Sequence, residues 1–471
     1  MNRLSIEKKP AAIPSADGAL ASLSLCALLS SLGMSSANVA LPTLALAFGA
    51  SFQQVQWVVI AYLLAITTLV VSVGRLGDIV GRRRLLLAGV ALFTAASLAC
   101  ALAPALWVLV AARAAQGLGA AVMMALSMAF VGATVPRAKT GSAMGLLGTM
   151  SAVGTALGPS LGGLLTSGPG WRVIFFLNIP LGLLTLACAL RFLPRDDTEQ
   201  TEGPKAFDYL GTVLLALALG AYALGMTLRR GAFGPLNAAC LLGAAFGLLL
   251  FVLAEGRVRS PMIALPMLGD RALGASLAAS ALVSTVMMAT LVIGPFYLSR
   301  AFGLDAAMVG LVMAAGPVAA ALAGMPAGRL ADRFGAARSA SAALVGIATG
   351  ALALSLMPAA FGMPGYLFAI AAMTLSYALF QAANNSAVMA EVPAGQRGVV
   401  SGLLNLARNL GLITGATVMG ALFAMGAAAP DMLTASPQAV AAGMRLTFGI
   451  GAVLIVLVVA TSAIWGRTPP Q

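Results

Sequence analysis

Hydrophobic residues fill this chain in long runs, and charge returns only at the breaks between them. Residues 85–112, 114–136, 231–254, 272–299, 306–328 and 339–390 carry no charged side chain, and neither do residues 18–74. A helix needs about 20 mostly apolar residues to cross a bilayer, so the longest runs hold two helices each. Breaks near Gly49–Gln53 and Met363–Gly365 divide them. The pattern predicts 14 spans, at 20–44, 53–74, 85–103, 106–130, 140–164, 173–192, 208–228, 236–254, 272–298, 306–328, 339–358, 364–389, 398–424 and 440–465. Glycine and proline inside them are tolerable because neighbouring helices can re-satisfy the backbone. The fold class expected is an all-α integral membrane protein whose main partner is the lipid bilayer.

Composition agrees: 60% of the residues are hydrophobic and 9% are charged, which excludes a disordered chain and argues against a soluble globular one. A net charge of +13 taken alone suggests nucleic acid. The distribution of that charge points elsewhere. With the N-terminus in the cytoplasm and sides alternating, 20 of the 27 basic residues fall inside, 5 outside, and Arg113 and Arg408 within spans. That bias is how basic loops orient membrane helices. It predicts a plasma membrane of the bacterial inner-membrane type, both termini cytoplasmic, and no nucleic-acid partner. The first span is too long for a cleaved signal and is expected to be retained. The four cysteines lie in separate spans and read as small core residues, and the chain has no histidine. No metal, cofactor, embedded nucleophile–base pair or phosphate loop is expected, and hence no enzyme.

The loop Gly74–Arg84, GRLGDIVGRRR, returns as GRLADRFGAAR from Gly328. Gly74, Asp78 and Gly81 match Gly328, Asp332 and Gly335 at a constant offset of 254 residues. Gly154 and Gly158 are echoed by Gly411 and Gly415 at an offset of 257. Such doubling is the mark of many secondary transporters. It predicts two six-helix halves, 20–193 and 257–466, between a tail at 1–19 and a tail at 467–471. A cytoplasmic linker at 194–207 and two inserted helices at 208–256 separate the halves. In the first loop, Asp78 can cap a helix and pair with Arg82 or Arg83, holding neighbouring helices together on one side. Plain inside-positive anchoring explains the arginines alone, but not the glycine frame present in both halves.

Three further groups stand out. Gly154, Gly158 and Gly162 recur at spacing four around Pro159, one face along which another helix can approach closely. Arg113 with Gln116, and Arg408 with Asn405, sit one turn apart inside spans, where an unpartnered arginine costs about 3 kcal/mol or more. They are either structural braces satisfied by carbonyls and amides, or a substrate- or proton-handling site. Ser31, Ser35 and Asn38 form a polar stripe, as do Tyr377, Gln381 and Asn384 with Asn385 beside them. These stripes face inward, either lining a cavity or bonding helix to helix.

GRLGDIVGRRR resembles the signature loop of the major facilitator superfamily. LVAARAAQGLGAA (109–121) is similar to its fourth-helix motif, with Arg113, Gln116 and Gly117 in register, and GTALGPSLGG (154–163) to its fifth-helix antiporter motif. GWRVIFFLNIPLG and FDYLG resemble segments of the 14-span drug/proton antiporters. The resemblance covers nearly the whole chain. It implies two six-helix bundles around a central cavity, alternating access, export of drugs and a proton role for the fourth-helix arginine; a monomer is expected. It also implies a cavity lined by spans 1, 4, 9 and 12, with Met287, Met288 and Tyr297 on span 9.

One departure matters. Those antiporters carry an aspartate five residues before the asparagine of NVALP; here NVALP is intact at 38–42 and that position is Gly33. None of the 14 acidic residues falls deep in a span. The expected function is therefore export of small neutral or weakly acidic amphipathic compounds, with proton coupling open. An uncoupled or anion-exchanging carrier is the alternative, and a non-transporting sensor ranks below both.

Overall fold

The computed structural model describes residues 16–70, 72–134, 140–194, 208–228, 234–257, 269–392, 397–429, 432 and 434–465. The expected tails and linker lie largely outside the described residues, as do the side chains of Arg75 and Asp78. The described chain is all-helical. The first half comprises α1 (Ala16–Val39), α2 (Leu41–Phe48), α3 (Phe52–Val70), α4 (Val73–Val80), α5 (Arg82–Ala101), α6 (Leu106–Thr134), α7 (Thr140–Ser167) and α8 (Arg172–Phe192). Then come α9 (Tyr209–Thr227) and α10 (Pro235–Glu255). The second half runs α11 (Arg271–Ala301), α12 (Ala306–Phe334), α13 (Ala336–Glu391), α14 (Arg397–Thr414), a π-turn (Gly415–Met419), α15 (Gly420–Ala427) and α16 (Pro437–Trp465). Thirteen described helices are long and apolar enough to cross a membrane. The expected span at 140–164 is α7, whose run of Gly, Ser and Thr lowers its apolarity below theirs.

Several expected spans are jointed. Ala40 and Pro42 separate α1 from α2, and α13 folds back at Gly362 (φ 60, ψ −139), where the sequence places the break one to three residues later. Helix starts follow ordinary capping. The Asp208 carboxylate accepts from Gly211 N (2.7 Å), Asp270 from Ala272 N (2.9 Å) and Asp305 from Met308 N (2.8 Å). Acidic residues that avoid the apolar interior thus serve at its margins.

The glycine frame has a backbone cause. Gly81 joins α4 to α5 at φ 100, ψ 129, and Gly335 joins α12 to α13 at φ 87, ψ 142. Both values lie in a region that residues with a Cβ avoid. The same sharp turn is therefore built twice.

Helices α1, α3 and α5–α8 pack as one lobe and α11–α16 as another, with α9 and α10 paired beside them. Each lobe uses the same seam. A Cβ on Gly154 would lie 2.5 Å from the Leu28 carbonyl oxygen, and one on Gly162 2.7 Å from that of Ser36, so α7 lies directly on α1. In the second lobe a Cβ on Gly411 would overlap the Ala281 carbonyl, so α14 lies on α11 likewise. Even the crossing hydrogen bond repeats: Ser35 Oγ donates to Gly154 O, and Thr285 Oγ1 to Gly411 O, both at 3.1 Å. The duplication seen in the loops extends to the helix contacts.

Candidate functional site

The two lobes meet at the end of the bundle that carries the Gly49 and Gly303 turns. A Cβ on Gly163 would overlap the Ala306 carbonyl oxygen, and one on Gly310 that of Pro159, so α7 and α12 touch backbone to backbone. Beside this seam, Phe52 of α3 packs edge-on against Phe296 (centroids 4.7 Å) and lies 5.5 Å from Phe423. Gln56 Nε2 donates to Ala416 O (3.0 Å) in the π-turn of the other lobe. Helix α9 spans both lobes here: Trp57 Nε1 donates to Thr227 Oγ1 (3.1 Å), and Tyr222 OH to Thr414 Oγ1 (3.2 Å). One continuous apolar core crosses between the lobes at this end. Toward the Gly81 and Gly335 end the first lobe has a separate core of its own.

A cavity of about 570 Å³ lies between the lobes on that second side. Its walls come from α1, α6 and α7 of the first lobe and α11, α12, α13 and α14 of the second, so spans 5, 10 and 13 join those implied by the family resemblance. The first-lobe wall is methionine and small side chains, including Met34, Met124, Met128 and Met144 with Ser30 and Ser127. Methionine adapts to varied apolar shapes. The second lobe brings every phenol, amide and charge: Tyr366, Tyr377, Gln381, Asn405 and Arg408. Gln381 Nε2 donates to Tyr377 OH (3.1 Å), and Asn405 Nδ2 to Ser401 O (3.0 Å). Of the expected second-lobe residues, Asn384 is buried with its Nδ2 unpartnered and Asn385 is exposed; neither lines the cavity. Met287 lines it, whereas Met288 is buried, as is Tyr297, which stacks on Tyr366 at 6.0 Å.

The stripe on α1 faces elsewhere. Ser31 Oγ meets Ser151 Oγ (2.6 Å), Ser35 bonds across to α7, and Asn38 Nδ2 reaches only Met34 O (3.4 Å). The cavity face of α1 is Ala27, Ser30 and Met34, one residue out of register with the stripe. Ser31 and Ser35 are thus part of the α1–α7 seam. Their hydroxyls are satisfied within the helix pair, so their polarity carries no information about water.

Arg113 is fully buried and stands outside the cavity wall. Its Nε donates to Val58 O (2.9 Å) and its Nη1 to Gly33 O (2.9 Å) and Gln116 Oε1 (2.5 Å). Gln116 Nε2 passes the chain on to Ser97 Oγ (2.8 Å). The guanidinium lies 4.2 Å over the Tyr62 ring, whose hydroxyl donates to Ser30 O (2.8 Å). One arginine therefore ties α1, α3, α5 and α6 together through a fork that lysine could not supply. Gly33 fits this arrangement. A Cβ there would sit 2.8 Å from Phe93 Cζ, so the ring of Phe93 occupies the direction in which a side chain would project. The backbone carbonyl of Gly33 meets the arginine instead.

Arg408 contrasts with Arg113. It is half-buried, lines the cavity, and has no hydrogen-bond or ion-pair partner among the described residues. It is also the one charged side chain among the described lining residues. In the repeated loops, Arg83 Nη2 donates to Leu190 O (2.6 Å), Arg82 starts α5, and Asp332 is exposed at the end of α12. Gly74 and Gly328 have open space where a Cβ would be, so the close-packing argument does not apply to them.

Comparison with known proteins agrees with this architecture. Residues 23–416 and 275–471 match the profile of the Major Facilitator Superfamily. The multidrug resistance protein Stp of Mycobacterium tuberculosis is 33% identical over 398 residues, 82% of this chain and 72% of Stp. The riboflavin transporter RibZ of Clostridioides difficile is 31% identical over 400 residues, 84% of this chain and 86% of RibZ. A crystal structure of a D-xylose–proton symporter superposes with a TM-score of 0.70 at 15% identity, over 96% of this chain and 98% of that one, a likeness of fold alone. A doubled helical bundle split by a cavity, with this ancestry, is a multi-pass membrane transporter of small molecules and not an enzyme: the chain belongs to the major facilitator superfamily.

Proposed function

We propose that the protein exports small amphipathic compounds across the plasma membrane by alternating access, as a monomer. The observation that carries this reading is the cavity itself, closed at one end by the Gly163–Gly310 contact and flanked at the other by two unjoined cores. The basic-loop bias supports placing its open side, with both termini, in the cytoplasm, so the described state is the one that loads substrate. Rocking the lobes would part α7 from α12 and release it outside. The turns at Gly81 and Gly335, with Asp78, Asp332, Arg82 and Arg83 around them, would close the cytoplasmic side in the opposite state. The direction of transport rests on the antiporter motif at 154–163 and on the drug-resistance relatives.

The test is expression in a bacterial strain stripped of its own pumps, with accumulation measured for chemically varied toxic compounds. Lower accumulation of at least one class is expected. Unchanged accumulation of all of them, with the protein properly inserted, refutes export. A second reading, an uncoupled or anion-exchanging carrier, is favoured by Gly33, which offers no carboxylate at the position where the resembled antiporters carry an aspartate.

A further inference from the structure

The cavity is polarised from lobe to lobe, and its charge is of one sign. The first-lobe wall is four methionines, Leu147 and small side chains, with no charge, amide or phenol, while Arg408, Asn405, Gln381 and Tyr377 lie on the second among apolar neighbours such as Met287 and Met313. Burying a guanidinium away from bulk water without a counter-ion is costly. Arg113 meets that cost with two carbonyls, an amide and an aromatic face. Arg408, half-buried at the cavity wall, does not bear that full cost and has no such partner among the described residues. A fork of five N–H donors with no protein partner among the described residues, at the wall of a cavity of drug-like size, is suited to receive a carboxylate, sulfonate or similar oxyanion.

We propose that the transported solutes are amphipathic monoanions, bound with the anionic group on Arg408 and the apolar body against the methionine wall of the first lobe. The proposal rests on the transporter reading above and names its substrate class. It also answers where the driving force comes from. Among the described residues no carboxylate lines the cavity, so the walls offer no carboxyl group to exchange a proton. A monoanion leaving a cytoplasm that is negative inside moves down the electrical gradient. Each 100 mV then supports an outward concentration ratio of about 50-fold for one charge, with no proton site required.

The test uses the full chain in proteoliposomes with two matched fluorescent probes of permanent charge, a dansyl sulfonate (N-dansyl-taurine) and a dansyl trimethylammonium. A valinomycin potassium potential, interior positive, mimics export. The expected result is potential-driven accumulation of the sulfonate, approaching 50-fold at 100 mV, no response to a pH gradient alone, and little transport of the cation. Arg408→Gln should lower sulfonate transport about tenfold or more while leaving cation transport equal or higher. Arg408→Lys should fall between wild type and Arg408→Gln, because it keeps the charge and loses the fork. A purely structural role for Arg408 would lower transport of both probes together, which overturns the proposal. Transport of the cation but not the sulfonate, or sulfonate transport driven by a pH gradient and not by potential, also overturns it and leaves the exporter reading standing. If neither probe moves in correctly inserted protein, the proposal is overturned, while the exporter reading stands or falls by the accumulation assay above.

Discussion

Substituting alanine for Gly310 tests the closed end most directly. The added Cβ would overlap the Pro159 carbonyl oxygen and lie 2.8 Å from the Gly163 Cα. Both obstacles are backbone, so no side chain can rotate away. Ordinary carbon contacts are about 3.5–4.0 Å, so α7 and α12 must separate by roughly 1 Å. Overpacking of this kind costs about 1–3 kcal/mol. The gain in helix propensity from glycine to alanine, about 1 kcal/mol, is the same in both conformations of a rigid α12 and cancels. The whole penalty then falls on the state with this end shut, which shifts the equilibrium about 5- to 150-fold toward the state with it open. The assay is double electron–electron resonance between spin labels at Ser167→Cys and Met308→Cys, exposed positions at this end of α7 and α12, in a background without the four native cysteines. A longer-distance population should grow in Gly310→Ala. It should not grow in Gly324→Ala, where nothing lies within 4 Å of the added atom. An unchanged distribution in folded Gly310→Ala protein would refute the idea that this glycine pair is the parting surface.

Three further outcomes are expected. Arg113→Lys should still insert but lose at least about 2 kcal/mol of stability, read as a lower Tm in detergent, because a lysine leaves the Val58 and Gly33 carbonyls and Gln116 without their shared donor. Gly33→Asp should cost about 1–3 kcal/mol by displacing Phe93, and that cost, read as a drop in Tm, should largely vanish when Gly33→Asp is introduced into a Phe93→Ala background; an undiminished drop there would mean that the ring is not the obstacle. Gly81→Ala and Gly335→Ala should each cost about 1–3 kcal/mol for their positive φ, whereas Gly74→Ala and Gly328→Ala should be near neutral, a contrast that thermal unfolding measures directly.

Particular residues show how far the sequence could be read. The repeated frame marks two turns because a positive φ demands glycine at Gly81 and Gly335, and that demand is visible in one dimension. The glycines of α7 were legible for the same reason: spacing four defines one helix face, and that face lies on α1. The stripe on α1 left two readings open, cavity lining or helix bonding, because serine in a helix can bond the carbonyl four residues back, as Ser35 does to Ser31 O (2.9 Å). In a membrane helix a hydroxyl satisfied that way need not face water, so its direction cannot be inferred from its polarity. The different surroundings of Arg113 and Arg408 were equally hidden, since both are arginines with an amide one turn away.

What the sequence alone determined was the number and order of the spans, the duplication in the motifs, and the absence of acid from the middle of every predicted span. Each follows from bilayer thickness or from the cost of charge in hydrocarbon, which act on every residue whatever its neighbours. What only the tertiary structure decided was which face of each helix meets the cavity, which arginine is braced within the first lobe and which lines the cavity, and which end is shut. Those depend on how helices distant in the chain rotate against one another, and a rotation of 100° per residue turns a one-position error into a different wall.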